Sequence, residues 1–138
     1  MAQLNPYLSF NGTCREAMSF YADCLGGKVV DLMTFAGSPM TESMPAELHD
    51  RILHSMLVAD GIVLMAADTP TDQAVNQGDA MTLCLNSPDK DEIRGYYEKL
   101  AEGANISQPL METFFGLYGA LTDKFGINWM FQAGAPDA

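Results

Sequence analysis

Residues 4–27 read LNPYLSFNGTCREAMSFYADCLGG, and this stretch decides the fold of the first half of the chain. Apolar and polar residues alternate from residue 4 to residue 10, which is the period of a β-strand with two different faces. Asn11-Gly12 indicates a turn, and Thr13 with Glu16 is the pattern of a capping box at a helix start. The stripe that follows predicts an amphipathic helix ending at two glycines: Cys14, Met18, Tyr21, Leu25 and Gly26-Gly27.

Three β-rich segments follow this helix and complete a β-α-β-β-β series. They are predicted at residues 28–35, 51–59 and 62–67, with a long loop over residues 36–50. Asp60-Gly61 is a dipeptide typical of the tight turn between two antiparallel strands. The first half of the chain therefore predicts one mixed sheet with one helix.

The same order of elements begins again after a polar linker. Ser87-Pro88 is predicted to start the second helix, because serine caps helices and proline suits the first helical position. Gly103 is predicted to end that helix. The strands of the second half are predicted at residues 80–86, 106–114, 117–122 and 128–132.

The two halves share a spacing. Tyr97 lies 76 residues after Tyr21, and Gly103 lies 76 residues after Gly27. This spacing predicts an internal duplication, although two α/β halves of similar size would share some spacing by coincidence. We predict an α+β fold in one domain, with module one at about residues 1–68, a linker at about 69–79 and module two at about 80–138. One helix covers only one face of each sheet, so the two mixed sheets are expected to cup around a shared concave cavity.

The charge of the chain argues against several classes of partner. Seven basic and 18 acidic residues give a formal charge of −11, whereas nucleic acids and anionic membranes bind to basic patches. No apolar run is long enough to span a bilayer and no secretory signal pattern is present, so we expect a cytoplasmic protein. The three cysteines have no CxxC or zinc-finger spacing and are expected to be reduced.

Three stretches carry a likeness to a known family: Asn5–Gly12, Arg51–His54 ahead of Asp68, and Thr122–Gly126 ahead of Trp129. In these residues the chain resembles the vicinal oxygen chelate superfamily, and within it the PhnB-like group. The superfamily includes glyoxalase I, extradiol dioxygenases, fosfomycin-resistance enzymes and bleomycin-binding proteins. The resemblance spans almost the whole chain and implies two tandem βαβββ modules and a homodimer.

The resemblance also implies a place for a divalent metal, which the superfamily holds with His and Glu from the first and last strands of each module. The corresponding positions here are Asn5, Leu64 or Met65, Ala80 and Met130. None of these side chains is an imidazole, carboxylate or thiolate, which are the donors that such metals require. We expect neither a bound metal nor another cofactor, because no glycine-rich nucleotide fingerprint is present either.

Strand alternation predicts which side chains line the cavity. Semi-polar residues of the first strand in each module are expected on the cavity face: Asn5, Tyr7, Ser9, Ala80, Thr82 and Cys84. Their apolar neighbours are expected on the helix face: Leu8, Phe10, Met81, Leu83 and Leu85. Cys84 is open to two interpretations, a thiol nucleophile or a small residue of the cavity wall.

His54 alternates with Met56 and Val58 on a predicted strand and is the best candidate for acid–base chemistry. A histidine on a strand face often serves instead as a hydrogen-bonded packing or binding residue. Near Gly116, a carboxylate and aromatic rings are predicted either to clamp a planar or cationic ligand or only to pack in the sheet: Glu112, Phe114, Phe115 and Tyr118. Trp129 is expected in the core.

These features favour a metal-independent protein that binds or sequesters a small organic molecule, cationic or aromatic. The expected ligand contacts are Asn5, Tyr7, Ser9, His54, Met56, Thr82, Cys84, Phe114, Tyr118 and Met130. The alternative is an enzyme of lyase, isomerase or transferase type that uses His54, Glu112 or Cys84 for acid–base or thiol chemistry. A third interpretation is an adaptor or vestigial partner whose cavity is filled by side chains.

Overall fold

The computed structural model describes residues 1–71 and 74–134, and residue 40 by its backbone only. The chain divides into two compact units, Met1–Asn76 and Gln77–Ala138. Each unit holds one four-stranded mixed sheet and one α-helix, which confirms the predicted α+β fold of two tandem βαβββ modules. Among the described residues, no helix is both long enough and apolar enough to cross a membrane. The shared cavity stays a prediction.

Module one has the sheet order β1-β4-β3-β2. Strand β1 runs parallel to β4, whereas β3 is antiparallel to both of its neighbours. The elements are β1 Tyr7–Phe10, α1 Cys14–Leu25, β2 Lys28–Thr34, β3 Ile52–Ala59 and β4 Ile62–Asp68.

Module two repeats this topology with the sheet order β5-β8-β7-β6, and β5 runs parallel to β8. Its elements are β5 Leu83–Ser87, α2 Lys90–Leu100, β6 Asn105–Thr113, β7 Gly116–Thr122 and β8 Asn128–Ala133. The repeated order is the topology that an internal duplication predicts.

Each helix covers one face of the sheet in its own module. Leu8 and Phe10 of β1 are buried on the side of α1, as predicted, whereas Tyr7 between them is exposed. In module two, the ring of Tyr97 on α2 meets that of Phe131 on β8 edge to face, with 5.3 Å between the centroids. Full burial of one such large apolar side chain contributes roughly 1.5–3 kcal/mol to stability. The period-2 pattern therefore sets the orientation of each sheet.

A buried carboxylate connects three parts of module one. Asp68, at the end of β4, is 5% exposed, and its Oδ1 accepts hydrogen bonds from the backbone N–H groups of Gly12 (2.9 Å) and Cys14 (3.0 Å). Its Oδ2 accepts a third from the N–H of Ile52, the first residue of β3 (2.9 Å). Gly12 has a φ of 95°, a backbone conformation that favours glycine. Asp68 thus fixes the turn before α1 against β3 and β4.

Module two has a buried carboxylate of its own. Asp123, in the turn after β7, accepts hydrogen bonds through Oδ1 from the backbone N–H groups of Phe125 (2.8 Å) and Ile127 (3.1 Å). Its Oδ2 accepts one from the indole N–H of Trp129 (2.8 Å). Trp129 is buried, as predicted. The turn between β7 and β8 is therefore anchored to the core of its module.

The capping of both helices differs from the prediction, although α1 begins after Thr13 as predicted. The Thr13 side chain makes no cap hydrogen bond, so the predicted capping box with Glu16 is wrong. The distant carboxylate of Asp68 occupies that role, because it accepts the bonds from the backbone at the helix start. Helix α2 begins after Asp89 and not at Ser87-Pro88, since the Asp89 side chain accepts two backbone hydrogen bonds from the first turn (3.0 and 3.4 Å).

Two strands are shorter than predicted. Strand β1 begins at Tyr7 instead of residue 4, and β5 begins at Leu83 instead of residue 80. Ahead of β5, the Asn128 carboxamide holds the chain by donating to the carbonyls of Gly78 (3.2 Å) and Met81 (3.1 Å). The Met81 side chain is 80% exposed, so its expected place on the helix face is wrong.

The predicted loop between β2 and β3 contains short 3-10 helices at Phe35–Gly37, Pro39–Ser43 and Ala46–Leu48. His49 holds this segment, because its Nε2 donates to the carbonyls of Thr41 (3.1 Å) and Met44 (3.0 Å). Such side chain to backbone bonds supply local order where strand pairing is absent.

We predict that Asp68→Asn lowers the free energy of unfolding by about 1.5–3 kcal/mol, because a neutral amide cannot accept all three backbone hydrogen bonds as a charged group does. Urea unfolding followed by circular dichroism measures the change. Asp60→Asn is the matched control, since Asp60 lies exposed in the turn between β3 and β4, and should change it by no more than about 0.5 kcal/mol. Equal stability of the two variants would contradict the role given to Asp68.

Candidate functional site

The open face of module one is the sheet face opposite α1. The side chains that the strand registers place on it include Tyr7, Ser9, Asp31, Met33, His54, Met56, Val58 and Met65. Four of them form one row across the sheet, in the order Tyr7, Met65, Met56 and Asp31. This face therefore combines a phenol, an imidazole and a carboxylate with thioethers.

Tyr7, His54 and Asp31 form a connected array on this face. The Tyr7 hydroxyl lies 3.2 Å from Nδ1 of His54, and Nε2 of His54 lies 3.8 Å from a carboxylate oxygen of Asp31. When Nδ1 accepts from the phenol, Nε2 carries the proton that faces Asp31. Burial raises the pKa of Tyr7, and the nearby Cys14 adds to this effect, so the phenol stays neutral at neutral pH. The array can bind a cationic or hydrogen-bonding group, or move a proton.

Asp31 reaches the open face through a β-bulge, and sequence reasoning missed it. Val29 pairs with Leu57 on the helix face, so regular alternation would place Asp31 on that face as well. The register shifts after Val29, and Asp31 pairs with Met56 instead. One extra residue in a strand places the side chains that follow it on the opposite face of the sheet. A β-bulge leaves no clear pattern in a single sequence. The only signal for Asp31 was its own type, an acidic residue within a predicted strand.

Three residues predicted for the cavity face by alternation lie outside the strands. Asn5 precedes β1, and its side-chain oxygen accepts a hydrogen bond from Gln3 (2.9 Å). Ala80 and Thr82 precede β5 and are exposed. Strand alternation therefore does not apply to these positions, and their predicted strand placement is wrong.

The open face of module two, opposite α2, carries a different set of side chains. The registers place on it Cys84, Asn86, Gln108, Met111, Tyr118, Ala120, Met130 and Gln132. One row across the four strands reads Asn86, Gln132, Tyr118 and Met111. In place of the charged array of module one, this face presents carboxamides, a phenol and thioethers.

The cysteines are poorly suited to nucleophilic chemistry. Cys84 is exposed, with its Sγ 4.0 Å from Oε1 of Gln132, and desolvation raises the pKa of its thiol above the ordinary value. Cys14 and Cys24 are buried, and burial raises the pKa of Cys14 to about 11. A neutral thiol is a weak nucleophile, because the thiolate is the reactive form. The geometry favours the interpretation of Cys84 as a wall residue.

The predicted clamp of Glu112 with aromatic rings does not form. Glu112 pairs with Leu117, which is buried on the helix face, and its carboxylate binds Lys90 of α2 (3.0 Å) and Arg94 (3.5 Å). Tyr118 is on the opposite face of the sheet, since residue 117 and residue 118 alternate. The carboxylate and the phenol are therefore separated by the sheet.

The aromatic part of the predicted clamp is present at the β6–β7 turn. The ring of Phe115 lies between two others, with centroid distances of 5.1 Å to Phe114 and 5.7 Å to Tyr118. The Phe114 side chain is 90% exposed. These three rings form an aromatic cluster without the carboxylate.

A groove of about 630 Å³ lies beside this cluster within module two. It is lined by Asn86, Ser87, Pro88, Phe115, Gln132, Ala133 and Gly134. Its volume is in the range of 300–1,000 Å³ that is usual for small-molecule sites. Sequence reasoning missed the groove, because its lining comes from the ends of two parallel strands and from a distant turn.

The donors at the positions implied for the superfamily metal do not fit a divalent ion. Leu64 is buried on the helix face, so Met65 is the residue of β4 on the open face. The side chains of Asn5, Met65 and Met130 offer an amide and two thioethers, which are poor ligands for zinc, iron or manganese. Within residues 1–71 and 74–134, no group of three or more His, Cys, Asp or Glu side chains is arranged to hold a metal.

Comparisons with known proteins identify relatives along almost the whole chain. A family described as 3-demethylubiquinone-9 3-methyltransferase matches residues 2–132. Protein YjdN of Escherichia coli strain K12 is 31% identical over 139 residues, which cover 94% of this chain and 93% of that protein. The crystal structure of protein PA1353 from Pseudomonas aeruginosa has a TM-score of 0.85 and 36% identity, over 96% of this chain and 98% of that one.

A more distant structure relates the fold to a wider group. A glyoxylase/bleomycin resistance protein/dioxygenase domain from Frankia sp. EAN1pec has a TM-score of 0.63 and 19% identity, over 100% of this chain and 95% of that one. At this identity the likeness concerns the fold alone.

We predict that one thiol of the native protein, that of Cys84, reacts with Ellman's reagent, and that it reacts slowly at neutral pH. Desolvation raises the pKa of Cys84 and keeps the thiol neutral there, so the rate should rise steeply at pH values above the usual range of a thiol pKa. Absorbance at a series of pH values measures the rate, and Cys84→Ser should abolish the reaction. A fast reaction at neutral pH would restore the interpretation of Cys84 as a nucleophile.

Proposed function

Because the chain belongs to the family described as 3-demethylubiquinone-9 3-methyltransferase, the PhnB-like group of the vicinal oxygen chelate superfamily, we propose that it binds a small organic molecule without a metal. The observation that carries the proposal is the array of Tyr7, His54 and Asp31 on an open sheet face. Three free cysteines agree with a reducing compartment, and we propose a cytoplasmic location.

The chemistry of the module-one face favours a planar aromatic cation as the ligand. Asp31 supplies a carboxylate that is about half exposed, and the Tyr7 ring supplies an electron-rich face for a cation. The thioethers of Met33, Met56 and Met65 are adaptable apolar contacts. Lys28 also lies on this face, opposite Val58 at the other end of β2. The formal charge of −11 attracts cations to the whole protein.

For each module, the residues proposed to contact a ligand are on its own open face. In module one they are Tyr7, Ser9, Asp31, His54 and Met56, and in module two Cys84, Tyr118 and Met130. Asn5, Thr82 and Phe114 stay proposed contacts from outside the strands.

The same array supports an enzyme as the second candidate function. A neutral His54 could take a proton from a bound substrate at one ring nitrogen while Tyr7 or Asp31 orients the other. Glu112 and Cys84 support this candidate less, since Glu112 is ion-paired on the helix face and Cys84 holds a neutral thiol. The family description refers to methyl transfer, but the sequence lacks the glycine-rich fingerprint of a nucleotide-binding turn. We therefore propose small-molecule binding as the first candidate function and catalysis as the second.

We predict that at about pH 8 the parent protein binds N-methylacridinium more tightly than acridine, which has the same ring system but is neutral at that pH. Asp31→Asn should weaken the binding of the cation about three- to tenfold and leave acridine unaffected, because only the cation interacts with the carboxylate charge. Asp60→Asn removes the same charge from an exposed turn of module one and should change neither. Equilibrium dialysis measures each affinity. Equal binding of the two probes by the parent protein would contradict the proposed ligand class.

His54→Gln tests the contribution of the imidazole separately from that of the Asp31 charge. The variant should bind the cation more weakly while losing no more than about 0.5–1.5 kcal/mol of stability, the usual net contribution of one hydrogen bond. Unchanged affinity with a larger loss of stability would make His54 a structural residue. Dialysis against a chelator should not alter binding by the parent protein, since the donors at Asn5, Met65 and Met130 do not fit a divalent metal.

We also propose a homodimer, and we predict twice the mass of one chain in light scattering. Edge strand β2 exposes Val30, Leu32 and Met33, and an apolar edge of a sheet tends to pair or become covered. Leu32→Lys should yield the mass of one chain. Ile106→Lys, on the edge strand of module two, is the control and should leave the dimer intact. A single-chain mass for the parent protein at micromolar concentration would remove the proposal.

A further inference from the structure

We infer that the groove of module two is a second binding site, which takes a neutral planar ring with adjacent hydrogen-bond donor and acceptor atoms, as in a lactam or imide. The groove is lined by seven residues, none of which carries a charged side chain. It lies within a single module, so the inference does not depend on the array of Tyr7, His54 and Asp31.

Two carboxamides give the groove its hydrogen-bonding edge. Asn86 of β5 and Gln132 of β8 are register partners on neighbouring parallel strands, which run about 4.8 Å apart. Among the described residues, the Asn86 side chain forms no hydrogen bond, and that of Gln132 has the Cys84 thiol at 4.0 Å. Each carboxamide offers both a donor and an acceptor. The pair can therefore bind a ring edge that presents both kinds of atom.

An aromatic wall stands next to the carboxamides. Phe115 lines the groove and packs against Tyr118, with an angle of 66° between the two rings. Tyr118 is in turn the register partner of Gln132, which brings the aromatic cluster beside the amide pair. A planar ring that binds the carboxamides by its edge would thus have an aromatic surface to contact. This combination favours a flat ligand over an aliphatic one.

The charges around the groove favour a neutral ligand. Lys90 borders it, since a Cβ atom added to Gly134 would lie 2.5 Å from Cε of Lys90. Its ammonium group, however, binds both carboxylate oxygens of Glu112 at 3.0 and 3.1 Å. The chain as a whole carries a formal charge of −11, which opposes phosphorylated ligands such as nucleotides. We therefore assign the groove to an uncharged ring without a phosphate.

Lumiflavin tests this assignment, because it is a neutral planar ring system with an imide edge. Equilibrium dialysis should detect binding to the full chain, and 3-methyllumiflavin, which lacks the imide donor, should bind about three- to tenfold more weakly. The planar cation N-methylacridinium should not displace lumiflavin from the groove. Failure of lumiflavin to bind, or equal affinity for its methylated analogue, would overturn the inference.

Variants identify the site. Asn86→Leu and Gln132→Met keep much of the side-chain volume and remove the proposed hydrogen bonds to the ligand. Each should therefore weaken the binding of lumiflavin about three- to tenfold. Asn105→Leu removes an exposed carboxamide from β6 and is the matched control, with no change expected. Phe115→Ala provides a further test if a strand variant unfolds, since Phe115 lies outside the strands and should also weaken lumiflavin. Parent-like affinity in folded Asn86→Leu or Phe115→Ala protein would overturn the assignment.

The two proposed sites can be tested independently of each other. Asp31→Asn should leave the binding of lumiflavin unchanged, because Asp31 is on the sheet of the other module. Asn86→Leu should likewise leave the binding of N-methylacridinium unchanged. If either variant weakens both probes, the groove is not an independent site and the inference is wrong.

Discussion

The three hydrogen bonds that the Asp68 carboxylate accepts are the constraint on which module one depends. They hold the N–H groups of Gly12, Cys14 and Ile52, which belong to the turn before α1 and to the start of β3. A slip of one residue in the register of a strand moves every side chain to the opposite face of the sheet. Because Asp68 fixes the ends of β3 and β4, it also fixes which residues lie on the open face. The contact between Tyr7 and His54 is therefore a consequence of a carboxylate on the buried side of the sheet.

Several of the residues that carry the family likeness act in this way. Gly12 and Asp68 belong to one buried network, and Asp123 and Trp129 to another. These networks fix turns and strand ends but do not contact the open faces described above. Tyr7 and His54 also carry the likeness, but Asp31 and the thioethers of Met33 and Met56 on the same face do not. The likeness therefore predicts the fold more fully than the chemistry. The two modules share one topology, yet one open face is charged and the other has an amide and aromatic character.

The sequence predicts what depends on local pattern and misses what depends on distant contacts. The order of the elements and the orientation of β1 follow from alternation, and both are confirmed. The group that caps α1 could not be predicted, because Asp68 lies 54 residues away from Cys14. The ion pair that holds Glu112 on the helix face joins β6 to α2, and no short pattern encodes it. One of the three residues of the candidate array was likewise missed, because the bulge in β2 places Asp31 on the open face.

That bulge decides the character of the module-one face. It lies in an edge strand, which can be bulged or regular without disturbing the buried strands β3 and β4. A relative with the same number of residues in a regular strand would keep the same core and the same turn network, yet the acidic side chain two residues after Val29 would lie on the helix side. The presence or absence of the bulge could thus alter the ligands that homologous proteins accept, while every residue of the family pattern remained the same.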